Sequence, residues 1–367
     1  MPRARDYLDL PGEPGEHDAI TDVTGVEVGY VTLIEDRDGG PRGPVSVRTG
    51  VTAILPRGRS GVAAPVAAAF HSLNGNGEMT GTIWLEESGS LGTPVLITNT
   101  HSVGAVHEGA IRWLIDHAPE AARQWLMPVV AETWDGVLND INGLHVRPEH
   151  AVAALDSARG GALAEGSVGG GTGMVCYGFK GGSGTASRTV RIGGERYVVG
   201  VFVQANFGQM GELTIRGVPV GHEPAVSATG PGGVPAGAGS VIVVVATDAP
   251  LLPAQCKALA RRSSLGLART GTTGSHFSGD IFLAFSTANR GALRDDFPDP
   301  DAAPVLDTLH ALPWGRIDPL HTAVVESVEE AVLNVLVAGT TMVGQGGRVV
   351  AALPVDRLVA GRVRRDP

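Results

Sequence analysis

Gly237-Ala238-Gly239-Ser240-Val241-Ile242-Val243-Val244-Val245-Ala246-Thr247-Asp248 joins a glycine-rich loop to the most apolar run in the chain. Residues 241–246 are continuous, mostly β-branched and without polar alternation, so they read as a strand covered on both faces. Together with the apolar runs and helical patterns that follow, it makes an α/β or α+β chain. Further short apolar runs at 51–55, 95–98, 129–133, 173–179, 197–205, 281–287 and 349–353 supply it with neighbours. Helical patterns fall at 102–118, 151–159, from Pro253 onward, and at 319–338. In the last of these Ala323, Val324, Val328, Ala331, Val332, Val335 and Leu336 share a broad apolar face, and Gly339 is placed to end the helix. No internal repeat is evident.

Composition bounds what the chain can do. Its 367 residues are 43% hydrophobic and 18% charged, enough to bury a large core as one sizeable domain or two intimate ones. A formal net charge of −10, with basic residues scattered apart from Arg362, Arg364 and Arg365, argues against a nucleic-acid groove. Cys176 and Cys256 form no disulfide framework or metal-binding pair and read as buried small hydrophobes in a reducing compartment. The first residues carry no apolar segment behind their basic ones, so no secretory signal is expected and the location reads as cytoplasmic. No apolar run approaches the ~20 residues that span a bilayer.

The junction at Gly239-Ser240 has chemistry of its own. Ser240 sits at the first position of a rigid strand, and residues 223–239 before it are rich in Gly, Pro and Ala, leaving little bulk around the Gly239 carbonyl. Attack by the Ser240 hydroxyl on that carbonyl would move the acyl group from N to O, and hydrolysis of the ester would free a chain beginning at Ser240. Its α-amine would titrate at about 7.7–8.0, close enough to neutrality to act as the base for its own hydroxyl. The ordinary alternative is a turn entering a strand, in a chain with 53 glycines.

Four other segments could carry chemistry. In the stretch from Gly274 to Asp280, Ser278 and Asp280 are two residues apart and share one side of an extended backbone, where a carboxylate polarises a hydroxyl; His276 makes a Ser-His-Asp arrangement a rival, if the strand runs back unbroken. Asn206 stands where an apolar run meets Gly208, placed to donate to an oxyanion or simply to end the strand. Glu132 and Trp134 close another run, the one suited to a substrate ammonium and the other to a pocket wall, unless both are solvated strand-end residues. The glycines of 166–173 invite a phosphate cradle but lack the following Lys and the acidic residue of a dinucleotide fold, so nucleotide binding is rejected. His101 with His107, and His145 with His150, lack metal-site spacing, and no metal is expected.

Taken in order, these segments resemble the L-aminopeptidase D-amidase/D-esterase and β-aminopeptidase family of self-processing serine hydrolases. The resemblance runs through GVTAILP (50–56), LNGNGEMTG (73–81), ITNTHSVG (97–104), ETWDG (132–136), GM (173–174), FKGG (179–182), TASR (185–188), QANFG (204–208), the Gly239-Ser240 junction, SGD (278–280), FST (285–287) and TTM (340–342). It implies an αββα sandwich resembling N-terminal-nucleophile hydrolases with different connectivity. It also implies one domain, 1–367, cut into 1–239 and 240–367 that stay together, and a homo-oligomer, a tetramer of processed pairs. By residue-wise carry-over Ser240 is the nucleophile, Ser278 and Asp280 activate it, Asn206 stabilises the oxyanion and Glu132 holds the substrate amine beside Trp134. No cofactor is implied.

Some members of that family carry Glu where Asp280 stands and Tyr where Trp134 stands. The expected activity is release of small N-terminal residues from peptides, amides or esters through an acyl-enzyme on Ser240. Nylon-oligomer amidases and ornithine-acetyltransferase-like acyltransferases are the neighbouring alternatives, against which a Ser in place of Thr argues. A non-catalytic binding protein on the same scaffold is the alternative of another class.

Overall fold

The computed structural model describes residues 2–39, 43–220, 238–294, 297, 306–354 and 358. Most of the glycine-rich loop expected at 223–239 therefore lies outside the described residues; Ala238 and Gly239 lie within them.

The first half of the chain lays down β1 (Glu27–Arg37), β2 (Val45–Leu55), β3 (Val66–Gly75), α1 (Thr82–Ser88), β4 (Ser90–Leu91), β5 (Val95–Asn99), α2 (Val103–His117), β6 (Val129–Thr133) and α3 (Pro148–Asp156). After two short strands, β7 (Val175–Cys176) and β8 (Phe179–Lys180), come the long pair β9 (Gly182–Ile192) and β10 (Glu195–Asn206). The hairpin of β11 (Thr214–Ile215) and β12 (Val218–Pro219) precedes β13 (Gly239–Thr247), α4 (Pro253–Ala268), β14 (Ser278–Ser286), α5 (Asp318–Ala338), β15 (Met342–Val343) and β16 (Val349–Val350).

Two sheets face each other. One has four strands in the order β1-β2-β5-β6, the other six in the order β4-β3-β14-β13-β10-β9. Alternation sorts the strand residues into three buried layers. Ile54, Val95, Ile97 and Ala131 of the small sheet meet Phe202, Ile242, Val244, Ile281 and Leu283 of the large one in a core between the sheets. The other faces of the same strands, with Val201, Val243, Val245 and Phe282, pack under α4 and α5 through Leu259, Val328, Val332 and Leu336. Leu96 and Val130 turn the opposite way, onto Trp113 and Leu114 of α2 and Leu155 of α3. The result is the expected αββα sandwich. β13 lies deep in it, antiparallel to β10 and parallel to β14, and its residues 241–246 are fully buried, as a run without polar alternation requires.

Where expectation and structure differ, the cause is local. The run 173–179 is a hairpin instead of one strand: Tyr177 and Gly178 both take positive φ (53° and 76°), which turns β7 back onto β8. The run 349–353 contributes only the two-residue β16. Gly339 follows α5 in extended conformation, not as a left-handed cap. Three long or central elements, β1, β3 and β9, are new; β9 reads GSGTASRTVRI, whose small and polar residues carry no apolar signal although nearly all are buried. The glycine run at 169–171 is a buried turn whose Gly169 and Gly170 N–H groups donate to Thr32 and Thr52 side chains, so its glycines serve close packing. Both cysteines are free and buried, and burial pushes each thiol up to about 12. No helix among the described residues is long and apolar enough to cross a membrane.

Candidate active site

The sheets come together at the start of β13. In register, Ser240 pairs with Asn206 of β10 on one side and with Gly279 of β14 on the other. Since Ile242 and Val244 face the space between the sheets, so does Ser240, and Phe202 and Gln204 carry Asn206 to the same side. Ser240 is buried, and its Oγ accepts the Trp134 backbone N–H at 3.2 Å. That donor comes from the residue following β6 in the opposite sheet. Gln204 holds the two sheets in this relation by donating to the Thr98 carbonyl and the Thr133 hydroxyl, at 3.2 and 2.6 Å.

The Asn206 amide is fixed at both ends. Its Oδ1 accepts the Val175 N–H at 2.9 Å and its Nδ2 donates to the Trp134 carbonyl at 2.9 Å, so one Nδ2 proton remains for another acceptor. The Trp134 N–H at the Ser240 hydroxyl and the Asn206 amide, Ser240's cross-strand partner on the same side of the sheet, are two donors that could stabilise an oxyanion formed there. The Trp134 amide was invisible to sequence reasoning, because a backbone donor leaves no residue-type signal.

Ser240 opens into a cleft of about 640 Å³ walled by Gly77, Glu78, Thr100, Glu132, Trp134 and Phe277. Glu132 lies 3% exposed at its base. It accepts the Glu78 N–H at 3.0 Å and the Thr100 hydroxyl, and among the described residues no cation lies within ion-pair distance of it. Burial pushes its carboxyl above the ordinary range, opposed by the bonds from Thr100 and Glu78. A buried carboxylate with two donors in place and no ion-pair partner among the described residues can accept an ammonium. The floor is kept low by glycine: a Cβ on Gly77 would come within 3.2 Å of Glu132 Oε1, and one on Gly279 within 2.4 Å of the Asn76 carbonyl.

Ser278 and Asp280 do share one side of β14, as the spacing requires, and the Ser278 hydroxyl donates to Asp280 Oδ1 at 2.5 Å. The other oxygen of Asp280 accepts from Asn74 Nδ2 at 2.9 Å, a partner that the sequence did not suggest. Burial raises the Asp280 carboxyl, opposed by the Ser278 and Asn74 bonds and by the Val241 amide. The pair stands in phase with Phe282 and Val241, on the helix-facing side of the sheet, whereas the Ser240 side chain points between the sheets. It therefore adjoins the backbone of Gly239 and Ser240, not the Ser240 hydroxyl. Ser278 begins β14 after a turn closed by its N–H to the Ser275 carbonyl, and His276 is exposed on that turn with its ring against Phe277. The unbroken strand that a His276 triad needs is absent.

Known proteins resemble this chain over most of its length. Peptidase family S58 matches residues 18–350. The chain is 49% identical to the beta-peptidyl aminopeptidase BapA of Sphingosinicella microcystinivorans, over 98% of this chain and 91% of that one. It is 44% identical to the BapA of Sphingosinicella xenopeptidilytica, over 100% of this chain and 92% of the other. Among solved structures, the L-aminopeptidase D-Ala-esterase/amidase of Ochrobactrum anthropi, described as a prototype of the serine aminopeptidases and a variant of the Ntn hydrolase fold, superposes with a TM-score of 0.89 at 46% identity, covering 98% of both chains. A Burkholderia sp. beta-aminopeptidase gives 0.88 at 44%, covering 100% of both. With its fold and nearly its whole length matched, the chain belongs to peptidase family S58 and is a serine aminopeptidase of the Ntn type.

Proposed function

We propose that the enzyme matures by cutting itself between Gly239 and Ser240 and then releases N-terminal residues through an acyl-enzyme on Ser240. The observation that carries this reading is the position of Ser240, a buried hydroxyl at the cleft that accepts the Trp134 N–H and is paired across the strands with Asn206, with a peptide bond to glycine directly before it. Once cleaved, the Ser240 α-amine takes the proton from its own Oγ as the hydroxyl attacks the substrate carbonyl. Asn206 Nδ2 and Trp134 N–H take up the charge on the tetrahedral oxygen. Collapse expels the leaving amine, which receives the proton from the α-ammonium; water then repeats the sequence on the ester and frees the acyl group and Ser240. Ser278 and Asp280, beside the Ser240 backbone, hold that amine and tune its basicity.

Glu132 takes the substrate ammonium, so a free amine is the recognition element, and the cleft admits small residues of the α- or β-amino class. The matured chains 1–239 and 240–367 act together, in the cytoplasm and as a tetramer of pairs. Intact mass tests the proposal: the wild type is expected as two chains without added protease, and Ser240→Ala as one inactive chain. A wild type that is active as a single chain overturns the maturation step. Aminoacyl p-nitroanilides with and without N-acetylation test the amine, since equal turnover of both forms removes Glu132 from its role.

A further inference from the structure

Lys180 is fully buried, yet no carboxylate among the described residues pairs with it. Its ammonium instead donates to two backbone carbonyls, that of Met174 at 3.1 Å and that of Gly181 at 2.8 Å. The Gly181 N–H donates to the same Met174 oxygen, also at 2.8 Å. That oxygen belongs to the peptide group whose N–H is Val175, and the Val175 N–H is the donor that holds Asn206 Oδ1. One peptide plane therefore separates a buried positive charge from the amide that faces Ser240. The surrounding hairpin is clamped at its tip, where the Tyr177 N–H donates to the Phe207 carbonyl at 2.8 Å and the Tyr177 hydroxyl meets Thr270 Oγ1 at 2.7 Å. The plane cannot turn away without breaking these contacts.

We propose that Lys180 is a positioning residue of the oxyanion site, fixing and polarising the Asn206 amide through the Met174–Val175 peptide. Charge on the Met174 oxygen side draws electron density along the peptide, makes Val175 N–H a stronger donor to Asn206 Oδ1, and in turn makes Asn206 Nδ2–H a stronger donor to the developing oxyanion; hydrogen bonds in such a chain reinforce one another. This inference rests on the reading of Ser240 and Asn206 above.

Burial also pushes the Lys180 ammonium down to about 7, with Cys176 the other titratable group acting on it. The charge that strengthens the oxyanion site is present below that pH and is lost above it, so it shapes the descending side of the kcat profile.

The test replaces Lys180 by Met, which keeps the length of the stem and removes the charge, with Lys180→Gln as a second variant that keeps a donor. Both are assayed on the purified, processed fraction. We expect kcat to fall by about 10–100-fold with KM within about twofold, the range below the loss of a whole oxyanion donor. An aminoacyl aldehyde, which forms a tetrahedral adduct with Ser240, should lose affinity by the same factor, while the corresponding amino alcohol, which forms none, should keep it. The descending limb of kcat with pH should vanish. Wild-type kcat in either folded, processed variant, or equal loss of affinity for aldehyde and alcohol, overturns the proposal. Ser240→Ala run alongside separates the two readings: an active Ser240→Ala removes the nucleophile assignment itself, whereas an inactive one beside a fully active Lys180→Met removes only the role of Lys180.

Discussion

Ser278, Asp280 and His276 lie within five positions of one another, and only the sheet decides which of them act. Side-chain alternation sends Ser278 and Asp280 to the face opposite the Ser240 hydroxyl, where their short mutual bond adjoins the Ser240 backbone. In the proposed mechanism a pair so placed serves the freed α-amine of Ser240, which would lie in the plane of the sheet and be reached from either face. Asp280→Asn, assayed in the processed form, should lower kcat by about 10²–10⁴, with a smaller change in KM. His276→Ala should leave both near their wild-type values, because the ring sits in solvent against Phe277. Collapse of His276→Ala beside a nearly normal Asp280→Asn would reverse these assignments. Asp280 is shorter than the Glu that some members of the family carry, and at 2.5 Å from the Ser278 hydroxyl the shorter acid still reaches it.

β6 shows how one element and its exit gather a site. Glu132 is its last residue but one, and directly beyond the strand come the Trp134 amide, which donates to Ser240, and the buried Asp135, which accepts from Asn139 Nδ2 at 3.0 Å and has no ion-pair partner among the described residues. Burial drives the Asp135 carboxyl up from 3.8 to about 7, with Glu132 adding to the rise and bonds from Thr49 and Asn139 opposing it. The folded state therefore holds a proton that the unfolded chain has given up, so wild-type stability declines relative to a neutral variant as pH climbs from 3.8 to about 7 and the gap is constant above that. Asp135→Asn should gain stability on this scale, on the order of 2–4 kcal/mol by neutral pH. Urea midpoints of the two proteins at a series of pH values check it; parallel curves would show that Asp135 is charged in both states.

Elements were legible in the sequence to different degrees, for physical reasons. β13, β6 and α5 announce themselves because burial on several sides demands apolar residues at every position or on a wide face. β9 hides because it packs against α5 by close approach: a Cβ at Gly184 would meet the Ala331 carbonyl at 2.3 Å, so smallness and not hydrophobicity is selected there. The side chains of the site follow the same division. Ser240, Asn206 and Glu132 could be nominated by type and place, whereas the Trp134 N–H, Asn74 and the link through Lys180 exist only once distant segments are folded together.

At the scale of the molecule, the strand that carries Ser240 at its second position lies between β10, from the first part of the chain, and β14, from the second, with α4 and α5 spread over both. Cleavage before Ser240 would leave no surface along which the halves could part without opening the central sheet. The processed pieces should therefore elute together in native buffer and separate only in denaturant. The same strand makes the cut a one-way change in molecularity. Before it, the sheet closes within a single chain; after it, two diffusing molecules must meet to rebuild the middle of a sheet. Recovery of the denatured mature enzyme should fall on dilution, whereas the uncut Ser240→Ala chain should refold at a rate independent of concentration. Stopped-flow or manual-mixing refolding at several protein concentrations distinguishes the two. Maturation on this view exchanges the ability to refold for the freed amine, and the enzyme is assembled once in its lifetime.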